Sequence, residues 1–159
     1  MGDIGYTKNQ VHDLTGLSAR LVQYYTERGI ISPEIDEGLG RGKVRRYSKK
    51  NVVEFAILKG LSDYGMTFSI IENVFSLMRS YLPIRQDDVM SIDKEDIIGK
   101  WKTFKNGAYI VLYMVDGEPE VWFWSRRDAN IVFDKEYLGK SESVLLINLG
   151  RIVEKLGNL

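Results

Sequence analysis

Tyr6-Thr7-Lys8-Asn9-Gln10-Val11-His12-Asp13-Leu14-Thr15-Gly16-Leu17-Ser18-Ala19-Arg20-Leu21-Val22-Gln23-Tyr24-Tyr25-Thr26-Glu27-Arg28-Gly29-Ile30-Ile31 decides how the first half of the chain is read. Thr7 can cap a first helix, because its hydroxyl accepts a backbone N–H that has no partner in the first turn. Val11 and Leu14 give that helix an apolar side. Gly16 permits a sharp turn that a Cβ would strain. Ser18 is the natural N-cap of a second helix. At 100° per residue, Arg20, Gln23, Tyr24 and Glu27 lie on one side of it, and Leu21, Val22 and Tyr25 on the other. A helix-turn-helix needs this division: an apolar side sets the angle to the first helix, and a polar side is free to enter a major groove. An ordinary αα-hairpin with solvated polar residues shows the same periodicity.

The next residues separate the two readings. Ile31-Ser32-Pro33-Glu34-Ile35 leads into Asp36-Glu37-Gly38-Leu39-Gly40-Arg41-Gly42-Lys43 and then Val44-Arg45-Arg46-Tyr47. Gly38, Gly40 and Gly42 allow positive φ at the tip of a β-wing. Arg41, Lys43, Arg45, Arg46, Lys49 and Lys50 follow one another without an intervening acid. A bland surface interleaves signs; a one-signed cluster beside a helix-turn-helix has the character of a phosphate clamp.

Leu17-Ser18-Ala19-Arg20-Leu21-Val22-Gln23-Tyr24-Tyr25, Gly29-Ile30 and Arg45-Arg46-Tyr47-Ser48, in this order and spacing, resemble the MerR family of winged helix-turn-helix transcription regulators. The match covers roughly the first half of the chain. The resemblance implies double-stranded DNA as the partner, with Arg20 reading base edges and Gln23 a weaker candidate. Ser18, Tyr24, Arg45 and Tyr47 match positions that meet or organise the phosphate backbone. Arg41, Lys43 and Arg46 join them on charge alone. Family members often carry an arginine where Gln23 stands, and often acids where Lys49 and Lys50 stand. Cations at a helix N-terminus oppose its dipole, so Lys49 and Lys50 are expected to gain from DNA phosphate.

Ser48 should cap a third helix through Val52, Val53, Phe55, Ala56, Leu58 and Leu61. Thr67 should cap a fourth, with Phe68, Ile71, Val74, Phe75 and Met78 as a core stripe. Pro83 disfavours helix in the residue before it. The family's long dimerising helix is not legible beyond it, since no heptad is sustained. A short helix across Lys94–Trp101 is interrupted by Gly99.

The second half has a different pattern. Ala108–Val115 and Glu120–Ser125 flank Asp116-Gly117-Glu118-Pro119, which reads as a hairpin. Both faces are apolar, so both should be covered. Ile131-Val132-Phe133 adds a short strand. Val144–Leu156 reads as an amphipathic helix on Leu145, Leu149, Ile152, Val153 and Leu156, started by Ser141 or Ser143 and ended by Gly157. Trp101, Tyr109, Tyr113, Trp122 and Trp124 could line a pocket for a flat organic effector. Core or dimer interface is the simpler use of such rings.

The expected organisation is therefore a mainly α winged helix-turn-helix domain over 1–82 (four helices plus a β-wing), a linker over 83–94, and a small α+β domain over 95–159 that senses an effector, dimerises, or both.

Composition sets the remaining bounds. The 159 residues carry 22 basic and 22 acidic side chains, so the formal charge is zero. This argues against indiscriminate polyanion binding but not against a local DNA site. There are no cysteines, which excludes disulfides, thiolate metal sites and cysteine redox sensing. His12, the one histidine, falls on the first helix, and no metal or cofactor is expected. The N-terminus has no signal pattern and no apolar run is long enough to span a bilayer, so a soluble cytoplasmic chain without membrane contact is expected. No phosphate loop, nucleophile elbow or paired carboxylate points to an enzyme. A homodimeric transcription regulator is the leading expectation, with a small organic effector or RNA polymerase as further partners. The competing readings are a winged-helix protein-interaction adaptor and an architectural DNA binder without an effector.

Overall fold

Thr7 caps α1 (Lys8–Thr15) in a reciprocal box: the Gln10 N–H donates to Thr7 Oγ1 at 3.3 Å, and the Thr7 N–H donates to Gln10 Oε1 at 2.9 Å. Gly16, at φ 73, ends the helix with its N–H on the His12 carbonyl. His12 Nδ1 lies 2.9 Å from the Leu17 carbonyl oxygen, which ties α1 to the turn. Ser18 caps α2 (Ala19–Glu27) by accepting from the Leu21 N–H. Ser48 caps α3 (Lys49–Asp63) in a second box with Asn51. α4 spans Phe68–Ser80, and the Thr67 hydroxyl oxygen lies 3.5 Å from the Ile70 N–H.

This computed structural model describes residues 5–38, 40, 42–80, 82–86, 89–93, 108–125, 139–141 and 143–157. The chain divides into two compact units, Met1–Gly65 with Leu156–Leu159, and Met66–Lys155. The sequence placed the boundary at Leu82. The difference arises because α4 packs on strands of the second unit.

In the first unit α1 packs on α2 and on α3. Val11, Leu17, Val22, Ile30, Ile31, Tyr47 and Phe55 are buried. Each fully buried side chain of this size contributes about 1.5–3 kcal/mol relative to exposure. Tyr47 and Phe55 meet edge to face at 5.3 Å, and the Tyr47 hydroxyl lies 3.0 Å from Thr26 Oγ1. The Tyr6 and Tyr47 backbones exchange two hydrogen bonds of 2.8 Å, closing the N-terminus onto the end of the basic loop. Two expected core residues are outside: Leu14 is 37% and Leu21 36% exposed. The inward line of α2 is Val22, Tyr25 and Thr26, at i, i+3 and i+4, and Leu21 stands a full step of rotation from it.

The second unit is a five-stranded sheet in the order β2-β1-β4-β3-β5. β1 (Leu82–Gln86) and β2 (Val89–Asp93) pair antiparallel, with Leu82 opposite Asp93. The stretch read as linker thus supplies two strands. Pro83 is tolerated because the parallel pairing of β1 with β4 begins only at Ile84. β3 (Ala108–Val115) and β4 (Glu118–Ser125) form the hairpin expected from Asp116-Gly117, which take φ 51 and 79. Both positive φ values suit a type I′ turn, which matches the strand twist.

The C-terminal helix is shorter than its spacing suggested. Ser143–Asn148 is β5, antiparallel to β3 from Tyr109↔Asn148 to Met114↔Ser143. α5 covers only Leu149–Lys155 and packs on β3. The Asn148 side chain caps it, accepting from the Arg151 N–H at 2.9 Å, in place of Ser141 or Ser143. The Val-Leu-Leu-Ile run gains more from a partner strand with both faces apolar than from a lone helical turn. Gly157, at φ 69, ends this region as expected. The short helix expected across Lys94–Trp101 and the strand expected at Ile131–Phe133 lie outside the described residues.

Candidate nucleic-acid interface

The outward side of α2 carries the expected readers. Ser18, Arg20, Gln23 and Tyr24 are all exposed. Tyr24 is held on two sides: Tyr25 meets it edge-on at 5.4 Å, and the Arg28 guanidinium sits 5.5 Å from its ring centroid. Those contacts stiffen a side chain that otherwise has two free torsions. Tyr25 lies on the buried side, where burial pushes its phenol pKa up against a lowering hydrogen bond from Ser62.

The glycine-rich loop closes where Asp36 and Arg46 form an antiparallel bridge, with the Arg46 N–H on the Asp36 carbonyl at 2.8 Å. Among the described residues this is an isolated bridge, not a ladder, supplemented by the Ile35 N–H on the Arg46 carbonyl and the Lys43 N–H on the Gly40 carbonyl, each at 3.3 Å. Asp36 Oδ1 also accepts the Gly38 N–H at 2.8 Å. Gly38 is required twice over: its φ is +65, and a Cβ there would stand 2.7 Å from the Arg45 nitrogen. Lys43 is exposed, while Arg45 and Arg46 are half-buried. Arg41 lies outside the described residues.

Tyr47 is not a surface contact. It is 1% exposed, and its hydroxyl faces Thr26. Its role is to fix the end of the loop against α2. Burial raises its pKa, opposed by the Thr26 hydrogen bond and the Arg45 charge.

The N-terminus of α3 resolves the two lysines differently. Lys50 Nζ pairs with Glu34 Oε1 at 3.0 Å, and Glu34 also accepts from the Ser48 hydroxyl. An acid from the preceding loop thus offsets the cation that the helix dipole disfavours. Asn51 holds the same corner, its Oδ1 accepting from the Glu34 and Ser48 N–H groups. Lys49 is half-buried.

A polar chain joins α1, α2 and the loop. Lys8 Nζ donates to Gln23 Oε1 at 3.2 Å, and Gln23 Nε2 donates to Glu27 Oε1 at 2.8 Å. That same Glu27 oxygen lies 3.7 Å from Arg45 Nη1. With Gly38, Lys43, Val44 and Tyr47, these residues line a cleft of about 370 Å³ between helix and loop. The sequence reading placed Glu27 on the correct side but gave it no role, and passed over Lys8, Glu34 and Asn51. The Gln23–Glu27 spacing of four was a usable signal. The Arg45 and Glu34 pairings connect distant segments and left none.

The proposed effector rings are only partly described. Tyr113 is buried with Val111, and half-buried Tyr109, Val115, Val144 and Leu146 pack against that pair. Register sets Trp124 opposite Tyr109 and Trp122 opposite Val111. Trp101 lies outside the described residues. Tyr113 is therefore core, not the lining of an open pocket. Among the described residues no group of three or more His, Asp or Glu could hold a metal ion, and no helix is long and apolar enough to cross a membrane.

Residues 6–77 match the family model described as MerR HTH family regulatory protein. No curated protein matches the chain. Residues 6–77 are thus similar to the helix-turn-helix region of that family.

Proposed function

We propose that the chain is a sequence-specific, double-stranded-DNA-binding transcription regulator and not an enzyme. One observation carries the reading. The exposed α2 residues Arg20, Gln23 and Tyr24 stand in the same compact unit as a loop bearing Lys43, Arg45 and Arg46, and this unit matches a helix-turn-helix family. Arg20 lies in the first turn of α2, the part of a recognition helix that reaches base edges. Its guanidinium fork suits the O6/N7 edge of guanine. Lys43 and Arg46 serve the phosphate backbone, which sets register and most of the affinity. Ser18 and Lys49 add contacts at the N-termini of α2 and α3. A homodimer is the natural form for such a module, since two-fold symmetry doubles the contacts. The aromatic sheet is the proposed place for dimerisation or for a small organic effector, and RNA polymerase is a further partner of a regulator of this type.

Selection of sites from a random duplex pool tests this, followed by affinities for the winning site and a scramble across a salt series. The expected result is a palindromic site whose affinity falls by roughly 10³–10⁵ between 50 and 200 mM salt. No enriched site and no salt dependence would overturn the reading.

A further inference from the structure

We propose that Glu27 is a specificity-determining residue: an internal counter-ion that holds Arg45 and the Gln23 amide away from DNA until a duplex displaces it. The inference rests on the DNA-binding reading above and goes beyond it.

Glu27 stands on the same side of α2 as Gln23, one turn further along. Its Oε1 receives the Gln23 amide at 2.8 Å and faces Arg45 Nη1 at 3.7 Å. Gln23 is occupied at both ends, because its Oε1 accepts from Lys8. To read adenine, an amide must offer both its donor and its acceptor to the N6/N7 edge. Gln23 can do so only by leaving Lys8 and Glu27. Arg45 can meet a phosphate at full charge only by leaving Glu27. Both changes release the same carboxylate, so base reading and phosphate clamping are coupled through one residue.

The pair is well placed for exchange rather than for stability. The side chains of Arg45 and Glu27 are 38% and 51% exposed. Exposed ion pairs are weak and easily traded for another anion. The cost of separating them falls on every DNA sequence. Only a sequence that gives Gln23 a better partner than Glu27 recovers it. Non-specific binding comes almost wholly from phosphate contacts. An internal acid beside a phosphate-binding arginine therefore suppresses non-specific binding more than specific binding.

The test is a double-mutant cycle on the full chain, with Glu27→Gln, Arg45→Ala and the pair. Affinities for the selected site and for scrambled duplex are read across a salt series. Glu27→Gln keeps shape and hydrogen bonding but removes the charge. We expect it to tighten scrambled-duplex binding about three- to tenfold and to narrow the ratio between specific and scrambled sites. The salt slope should steepen by about 0.9, the value of one further phosphate contact. In the Arg45→Ala background the tightening should vanish. If it persists there, Glu27 acts by general repulsion of DNA and the proposal fails. If Glu27→Gln leaves affinity and slope unchanged, the pair is merely structural and the proposal fails. If the unaltered chain binds no duplex, the DNA-binding reading fails first and takes this proposal with it. Thermal melting of each variant separates all three outcomes from loss of fold.

Discussion

Tyr47 shows how one side chain serves fold and site together. Its ring is buried against Phe55, its hydroxyl meets Thr26 of α2, and its backbone closes on Tyr6. Tyr47→Phe keeps the ring and removes the hydroxyl contact, so it should cost about 0.5–1.5 kcal/mol at neutral pH. A second consequence is alkaline. Burial raises the Tyr47 pKa above 10.0, and that of Tyr25 likewise. Between the unfolded and folded values the folded state binds more protons, so stability falls as pH rises. The stability that these phenols contribute is whole below pH 10 and lost as pH climbs through the raised values. Denaturant midpoints at pH 7 and just above pH 10 should therefore converge for Tyr47→Phe relative to the unaltered chain. Arg20 belongs at this scale too. Arg20→Ala should cost about 1–3 kcal/mol on the selected site and relax preference at one base position, as binding titrations against single-base variants would show. The exposure of Arg20 was legible because the outward positions of an amphipathic helix follow from its period alone. Tyr47 was legible as a family position but not as a buried one, since burial depends on where α3 brings Phe55.

At the scale of elements, what the sequence made readable is what local hydrogen bonding decides. Thr7, Ser18, Ser48, Gly16 and the Asp116-Gly117 turn were all readable, because each acts on backbone within a few residues. What was missed depends on distant partners. Val144–Asn148 has helical and strand spacing at once, and only β3 beside it decides for strand. Residues 83–94 read as linker because β1 and β2 are short and β4, which seats β1 in the sheet, lies some forty residues on. The basic loop sits between these cases. Its glycines were readable, its attachment was not. Gly38 touches the Arg45 backbone in a conformation that L side chains resist. Gly38→Ala should therefore displace Arg45 and Arg46 while leaving α1, α2 and α3 in place. The expected result is weaker DNA binding by several-fold with unchanged far-ultraviolet circular dichroism, since positive-φ strain of about 1–3 kcal/mol is confined to the loop. Gly40, at φ +111, carries backbone strain of the same kind, but a Cβ there meets only Lys43 Cδ at 4.0 Å; an equal loss from Gly40→Ala would therefore show that strain in the loop matters rather than the Gly38–Arg45 contact.

Across the whole molecule the charges cancel, 22 basic against 22 acidic, yet the basic residues from Lys43 to Lys50 stand together. A neutral chain gathers little DNA by its overall field. Its affinity must come from close contacts, and close contacts are counted by the salt slope. One copy offers Arg20, Lys43, Arg46 and Lys49 as cations for the duplex, with Arg45 once it leaves Glu27; Lys50 faces Glu34. A dimer doubles that set and demands two half-sites about 34–36 Å apart, or a multiple of that spacing. Sedimentation of the chain with a full palindrome should give two chains per duplex, and the slope on the palindrome should be close to twice that on an isolated half-site. The half-site should also bind weaker by about 10²–10⁴, because the second contact is no longer intramolecular. Inserting five base pairs between half-sites turns one by half a helical repeat and should abolish that advantage, unless the protein itself retwists the duplex. One chain per duplex at full affinity would show instead that α2 and its loop suffice alone, and would leave the aromatic sheet free for a role other than dimerisation.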